Sequence, residues 1–122
     1  MAGQTFMCAR VLPASIDTPL FQHAANFTGR SVRPIRPVYA PEEVARAIVG
    51  LVDRPRREIV VGRAGRALAM LRAIAPGFTE RLLARQVERQ HFRDVPAPPT
   101  WGNLHQPLPD LARTTGGWRS TA

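Results

Sequence analysis

The stretch VLPASIDTPLF, residues 11–21, carries the first residues whose types and spacing could do chemistry. An apolar run stops at a proline, passes through Ser15 and Asp17, and restarts at Thr18-Pro19. A strand feeding a loop that opens a helix reads this way, and such loops serve sites that the rest of a chain builds. Ser15 and Asp17 lie close together, but nucleophilic catalysis also needs a base, and no histidine is suitably placed. His23, His91 and His105 are far apart and have no acidic or cysteine neighbour at ligand spacing, so solvated or capping roles are expected rather than a metal site. Cys8 reads as a small buried apolar residue in a strand.

A second stretch, VVGRAGRALAM at residues 60–70, passes from an apolar run through Gly62 and Gly65 into a helical pattern. Arg63 and Arg66 could assist an anion at a helix N-terminus. A dinucleotide fingerprint, however, needs three glycines: one for the tight turn, one for close approach to pyrophosphate, one for helix–strand packing. Two are present, at a different spacing, and no following strand completes a β-α-β unit. The simpler reading is a glycine-mediated turn from strand to helix.

Elements must position these residues. Residues 5–12, TFMCARVL, are apolar enough for a buried strand that Pro13 ends. Residues 19–25 read as a short helix, with Thr18 as N-cap and Pro19 at the first helical position, where its missing N–H costs nothing. Residues 26–40 read as a loop, because the prolines of RSVRPIRP forbid a regular helix. PEEVARAIVGLVDR, from Pro41, has the proline and glutamates that suit a helix N-terminus. Its Val44, Ala47, Ile48, Leu51 and Val52 recur at helical spacing, which predicts one apolar face against a core. Residues 57–62, REIVVG, read as a second buried strand. Two more helices follow: Leu68, Leu71 and Ala75 mark one stripe, Pro76-Gly77 interrupts, and Phe78, Leu82 and Val87 resume. The strand-helix-strand order implies parallel strands joined by a right-handed crossover. Residues 1–92 therefore form one α/β unit of two parallel strands with three or four helices. Residues 93–122 are rich in Pro, Gly and Thr, poor in aliphatics, and read as an extended or disordered tail. Trp101 and Trp118 could anchor that tail to the body or to a partner.

Length and charge set outer limits. The 122 residues suffice for one small domain, with a formal net charge of +8 and no lysine, so every positive side chain is arginine. The arginines run from Arg10 to Arg119 with few aromatics between them, unlike the clustered cations of a nucleic-acid interface. One cysteine permits no internal disulfide, which fits a reducing cytoplasm. No signal-peptide pattern opens the sequence, and no apolar run approaches the roughly 20 residues of a membrane span. The expectation is a cytoplasmic protein without a transmembrane segment.

The order of these pieces resembles the later part of a short-chain dehydrogenase/reductase. The matching residues are Pro13, Ile16 and Thr18 in the loop, Pro41, Glu42, Glu43, Val44 and Ala45 at the helix start, and Ile59-Val60-Val61 as the last strand. The likeness spans roughly residues 5–75. The later G-N-L and G-G-W-R elements are similar to the longer C-terminal extensions of some members. The resemblance implies a Rossmann-like doubly wound parallel sheet, of which this chain would hold the C-terminal portion, and NAD or NADP as cofactor. It implies that the Ile16 N–H pairs with the nicotinamide carboxamide, that the Thr18 hydroxyl does likewise or reaches the pyrophosphate, and that Pro13 turns the loop. Ala14 departs from the family's usual glycine, which puts close cofactor approach in doubt.

The chemistry the resemblance implies is incomplete in these residues. The N-terminal cofactor fingerprint has no counterpart. The catalytic Tyr-x-x-x-Lys has none either, since Tyr39 is the sole tyrosine and Glu43 stands four residues on. No catalytic residue is assigned. The expectation is a truncated dehydrogenase-like chain, inactive by itself, that forms a homo-oligomer or pairs with a dehydrogenase subunit. Two alternatives stay open: a small interaction module that binds a full-length relative, or a basic amphipathic protein that contacts membrane or nucleic acid through residues 63–93.

Overall fold

The apolar run that ends at Pro13 forms strand β1, Arg10–Pro13, and pairs in parallel with β3, Glu58–Val61. The register sets Val11 beside Ile59 and Leu12 beside Val60. The computed structural model describes residues 8–120. Residues 5–7 of the expected first strand lie outside the described residues, and Cys8, expected in that strand and buried, precedes it and is exposed. An exposed ion pair between Arg10 and Glu58 at 2.9 Å closes one end of the pair.

The crossover between β1 and β3 contains three elements. Helix α1 covers only Leu20–His23, with Pro19 rather than Thr18 at its N-cap position and no side-chain capping bond. β2, Arg30–Val32, lies within the expected loop. Helix α2, Pro41–Asp53, begins where the proline and two glutamates placed it. Its apolar face packs on β3 only in part: Val44, Ala47 and Leu51 are half-buried, whereas Ile48 is 51% exposed and Val52 80% exposed. The core expected to cover that face is not supplied by the described residues.

After β3 the chain turns at Gly62 into α3, Arg63–Ile74, breaks at Ala75, and restarts as α4, Pro76–Gln86. The break is held by Thr79, fully buried, whose hydroxyl donates to the Ala75 carbonyl at 2.8 Å. A π-helical turn, Val87–His91, then leads into β4, Phe92–Pro96, which pairs antiparallel with β2 through Val32–Phe92 and Arg30–Pro96. Arg30 anchors this second pair. Its guanidinium reaches Glu88 at 2.8 Å and Asp94 at 3.4 Å and lies over the Phe92 ring.

The architecture is α/β, with a two-stranded parallel sheet flanked by helices, compatible with part of a Rossmann-like fold. The β2–β4 pair adds a small antiparallel sheet beyond the expected two strands. Residues beyond Pro96 run back over the body. They meet it at Asn26–Thr100 and again where Gly116 and Trp118 reach the loop after β1.

Candidate functional site

The loop after β1 is held from three sides. Ala14 N–H donates to the Val61 carbonyl at 2.9 Å, which extends the β1–β3 ladder by one bond. Ile16 then bridges Tyr39 in parallel: the Tyr39 N–H donates to the Ser15 carbonyl, and the Asp17 N–H donates to the Tyr39 carbonyl. In a parallel bridge of this kind the central residue's own N–H points to the opposite edge. Among the described residues no carbonyl accepts the Ile16 N–H, while the Ile16 carbonyl accepts from Thr18. No described partner engages the Thr18 hydroxyl.

Behind this loop lies an open depression of about 700 Å³. Pro13, Ala14, Ile16 and Thr18 form one wall, and Pro41, Val44, Ala45 and Ile48 of α2 form another. Pro13, Ile16 and Thr18 thus converge on one cavity, joined by three residues of the PEEVA segment. The lining is largely apolar, with Ser15 and Thr18 as its polar residues. That combination can seat a flat, mostly apolar ring bearing one amide or carbonyl.

The glycine turn at the start of α3 has a different role. Gly62 has φ +100°, a conformation that favours glycine, and a Cβ there would sit 2.9 Å from both the Ala14 Cβ and a Tyr39 ring carbon. The Ala64 N–H donates to the Tyr39 hydroxyl at 2.9 Å, and the Arg66 N–H donates to the Gly62 carbonyl at 3.2 Å. Tyr39 therefore takes up a helix N-terminal donor that an anion would otherwise use. The turn packs strand against helix, as the simpler reading of VVGRAGRA had it.

Asp17 is not part of a Ser-Asp pair. It is 5% exposed, and its Oδ1 accepts from the Gly116 N–H at 3.1 Å and the Trp118 N–H at 2.8 Å. The Trp118 indole N–H also donates to the Thr18 carbonyl at 2.9 Å. Sequence reasoning left open what Trp118 anchors; among the described residues it is the body of the chain. The signal was Gly116-Gly117 beside an aromatic, because adjacent glycines let successive N–H groups converge on a carboxylate. Nothing in the sequence paired that signal with Asp17.

The histidines stay apart. His91 lies against Phe21 and Phe92 with its Nδ1 2.7 Å from the Arg33 carbonyl, and His105 lies near Trp101. No group of three potential metal ligands occurs among the described residues. No helix among them is long and apolar enough to cross a membrane.

Comparison with known proteins gives a partial match. Over 88 residues, 71% of this chain, it is 33% identical to a protein of Bacillus subtilis (strain 168) described as "Uncharacterized oxidoreductase YxnA". The matched stretch is 25% of that protein, so this chain spans about a quarter of its relative's length. No family model matches the chain, and no solved structure matches it. The chain is thus an α/β protein with an oxidoreductase-like relationship.

Proposed function

We propose that this chain is the cofactor-facing, late-sheet unit of an NAD(P)-dependent oxidoreductase of the short-chain dehydrogenase/reductase type, and that it has no turnover by itself. The observation that carries the reading is the convergence of Pro13, Ile16 and Thr18 with Pro41, Val44 and Ala45 on one apolar depression. The residues present fit a nicotinamide. The Ile16 N–H and the Thr18 hydroxyl are donors without partners among the described residues, and a carboxamide oxygen is a suitable acceptor for both. Pro13 and the Ala14–Val61 bond fix the loop's path, and Pro41, Val44, Ala45 and Ile48 of α2 offer an apolar wall to one face of the ring. A bound nicotinamide would supply hydride chemistry. The 122 residues hold no lysine and no three-glycine fingerprint, so the pyrophosphate grip and the proton-transferring group come from outside them, in a longer chain or a partner.

The test is direct. The purified 122-residue chain, incubated with NADH or NADPH and a panel of carbonyl compounds, should give no absorbance change at the nicotinamide band above a blank. Calorimetry should show binding weaker than micromolar, because most affinity in such folds lies at the pyrophosphate and adenosine ends. Reproducible turnover, or a micromolar dissociation constant, would overturn the reading. A second reading, an interaction module for a full-length relative, is favoured by an outer edge of β1 that no described residue pairs with and by the exposed Ile48 and Val52 of α2. Capture of a purified full-length relative by this chain would support it.

A further inference from the structure

Three features go beyond the groups assigned to the proposed cofactor site, two of them touching its loop. An apolar cavity of about 420 Å³ lies between β1 and helices α3 and α4, but nothing in the structure shows what fills it. The Nδ1 of His23 is buried without a partner, yet its ring is only half-buried and faces no cavity described above. The third feature is the contact between residues 113–118 and the loop after β1.

We infer that residues 113–118 are a strap that locks the loop carrying Ile16 and Thr18, with Asp17 as the positioning residue. Asp17 lies between those two residues in sequence. Asp17 is the central residue of a tight turn in which the Thr18 N–H donates to the Ile16 carbonyl at 2.9 Å, so a clamp on Asp17 holds both of its neighbours. The clamp has six hydrogen bonds. The Gly116 and Trp118 N–H groups converge on Asp17 Oδ1. The Gly116 N–H also reaches the Asp17 carbonyl at 3.3 Å, and the indole N–H takes the Thr18 carbonyl. On α1, Gln22 donates to the Gly116 carbonyl at 2.7 Å and accepts from Arg113 at 3.2 Å. The Trp118 ring meets the Phe21 ring edge-on, with centroids 6.5 Å apart.

The sequence of the strap is constrained to match. Gly116 is buried, and a Cβ there would collide with the Trp118 indole and the Thr18 carbonyl. Gly117 has φ +80°, which turns the flanking N–H groups toward one carboxylate oxygen. A buried carboxylate bonded by two backbone N–H groups is a strong, directional contact, and leaving it unmatched is costly. The strap therefore sets the loop whether or not a ligand occupies the depression.

The role in ligand binding rests on the reading of the loop as a cofactor site; the locking itself does not, and the experiment measures the locking in the ligand-free chain. Amide hydrogen exchange is followed in the full 122-residue protein and in three variants, Asp17→Ala, Asp17→Asn and Gly116→Ala. Asp17→Ala and Gly116→Ala should speed exchange of the Asp17 and Tyr39 amides by about tenfold or more, the weight of a charge-assisted hydrogen bond. Exchange within α2 should stay unchanged. Asp17→Asn keeps an acceptor oxygen for both N–H groups and should restore most of the protection. In a Trp101→Phe background, Trp118 fluorescence should become more accessible to acrylamide in the two alanine variants only. Unchanged loop exchange in both alanine variants would show that the strap rests on the loop without setting it. Loss of protection throughout α2 in both would show a general stabilising contact. Either result overturns the proposal, and failure of nicotinamide binding leaves it standing.

Discussion

Gly62 and Tyr39 form the junction on which the strand, the loop and α3 meet. Gly62→Ala forces a side chain into φ +100° and against Ala14 and Tyr39. It should cost roughly 2 kcal/mol or more. Tyr39→Phe keeps the ring packed but leaves the Ala64 N–H without its oxygen, which should cost about 1 kcal/mol. Urea unfolding of each variant beside the parent checks both values; a parent-like midpoint for Gly62→Ala would show that the turn relaxes freely. At this scale the sequence was partly legible. Pro13, Ile16 and Thr18, named from their order, line one cavity, and their part in holding a cofactor is the proposal made above. Tyr39 and Asp17 were not assigned their contacts, because each is defined by a partner distant in sequence. The Tyr39 hydroxyl bonds across 25 residues and the Asp17 carboxylate across 99. No local pattern encodes such pairs.

Elements divide along the same line. β1, β3 and α2 were legible as elements because each is fixed by local patterning, although β1 includes Pro13 and, expected as a buried strand, is largely exposed with only Val11 half-buried. The break between α3 and α4 was legible from Pro76-Gly77, since proline cannot continue a helix but can begin one. β2 was hidden by the prolines around it, and its partner β4 lies some 60 residues later, where the composition reads as tail. The strand exists because Arg30 and Val32 find Pro96 and Phe92, and because Glu88 and Asp94 meet the Arg30 guanidinium. The apolar face of α2 was read correctly as a face and wrongly as covered. Amphipathic spacing says which side of a helix seeks burial, not whether the rest of the chain supplies the cover.

The whole molecule has little interior. Among the described residues only Val61, Pro19 and Pro34 have buried apolar side chains. The accessible surface is 9493 Å², against roughly 6,500 Å² expected for a globular monomer of this mass. Apolar side chains on α2, α3 and α4, among them Val52, Met70, Ile74 and Phe78, lie on that surface. Patches of this kind, beside a strand edge without a neighbour, favour association. The isolated chain should therefore sediment as a concentration-dependent assembly, with a thermal midpoint that rises with concentration. Ile48→Glu with Val52→Glu should weaken that assembly while leaving far-ultraviolet circular dichroism unchanged. A sharp monomeric transition with a high, concentration-independent midpoint would instead mark a self-sufficient domain.

The closure of Gly116 and Trp118 onto Asp17 also has a consequence in time. The carboxylate and its donors are separated by 99 and 101 residues. At ordinary elongation rates the ribosome makes the first roughly 5 to 20 s before the second. Throughout that interval Asp17 remains solvated, while local helices such as α2 and α3 are free to form. The loop that walls the depression is thus synthesised well before the residues that hold it, and it settles only after they arrive.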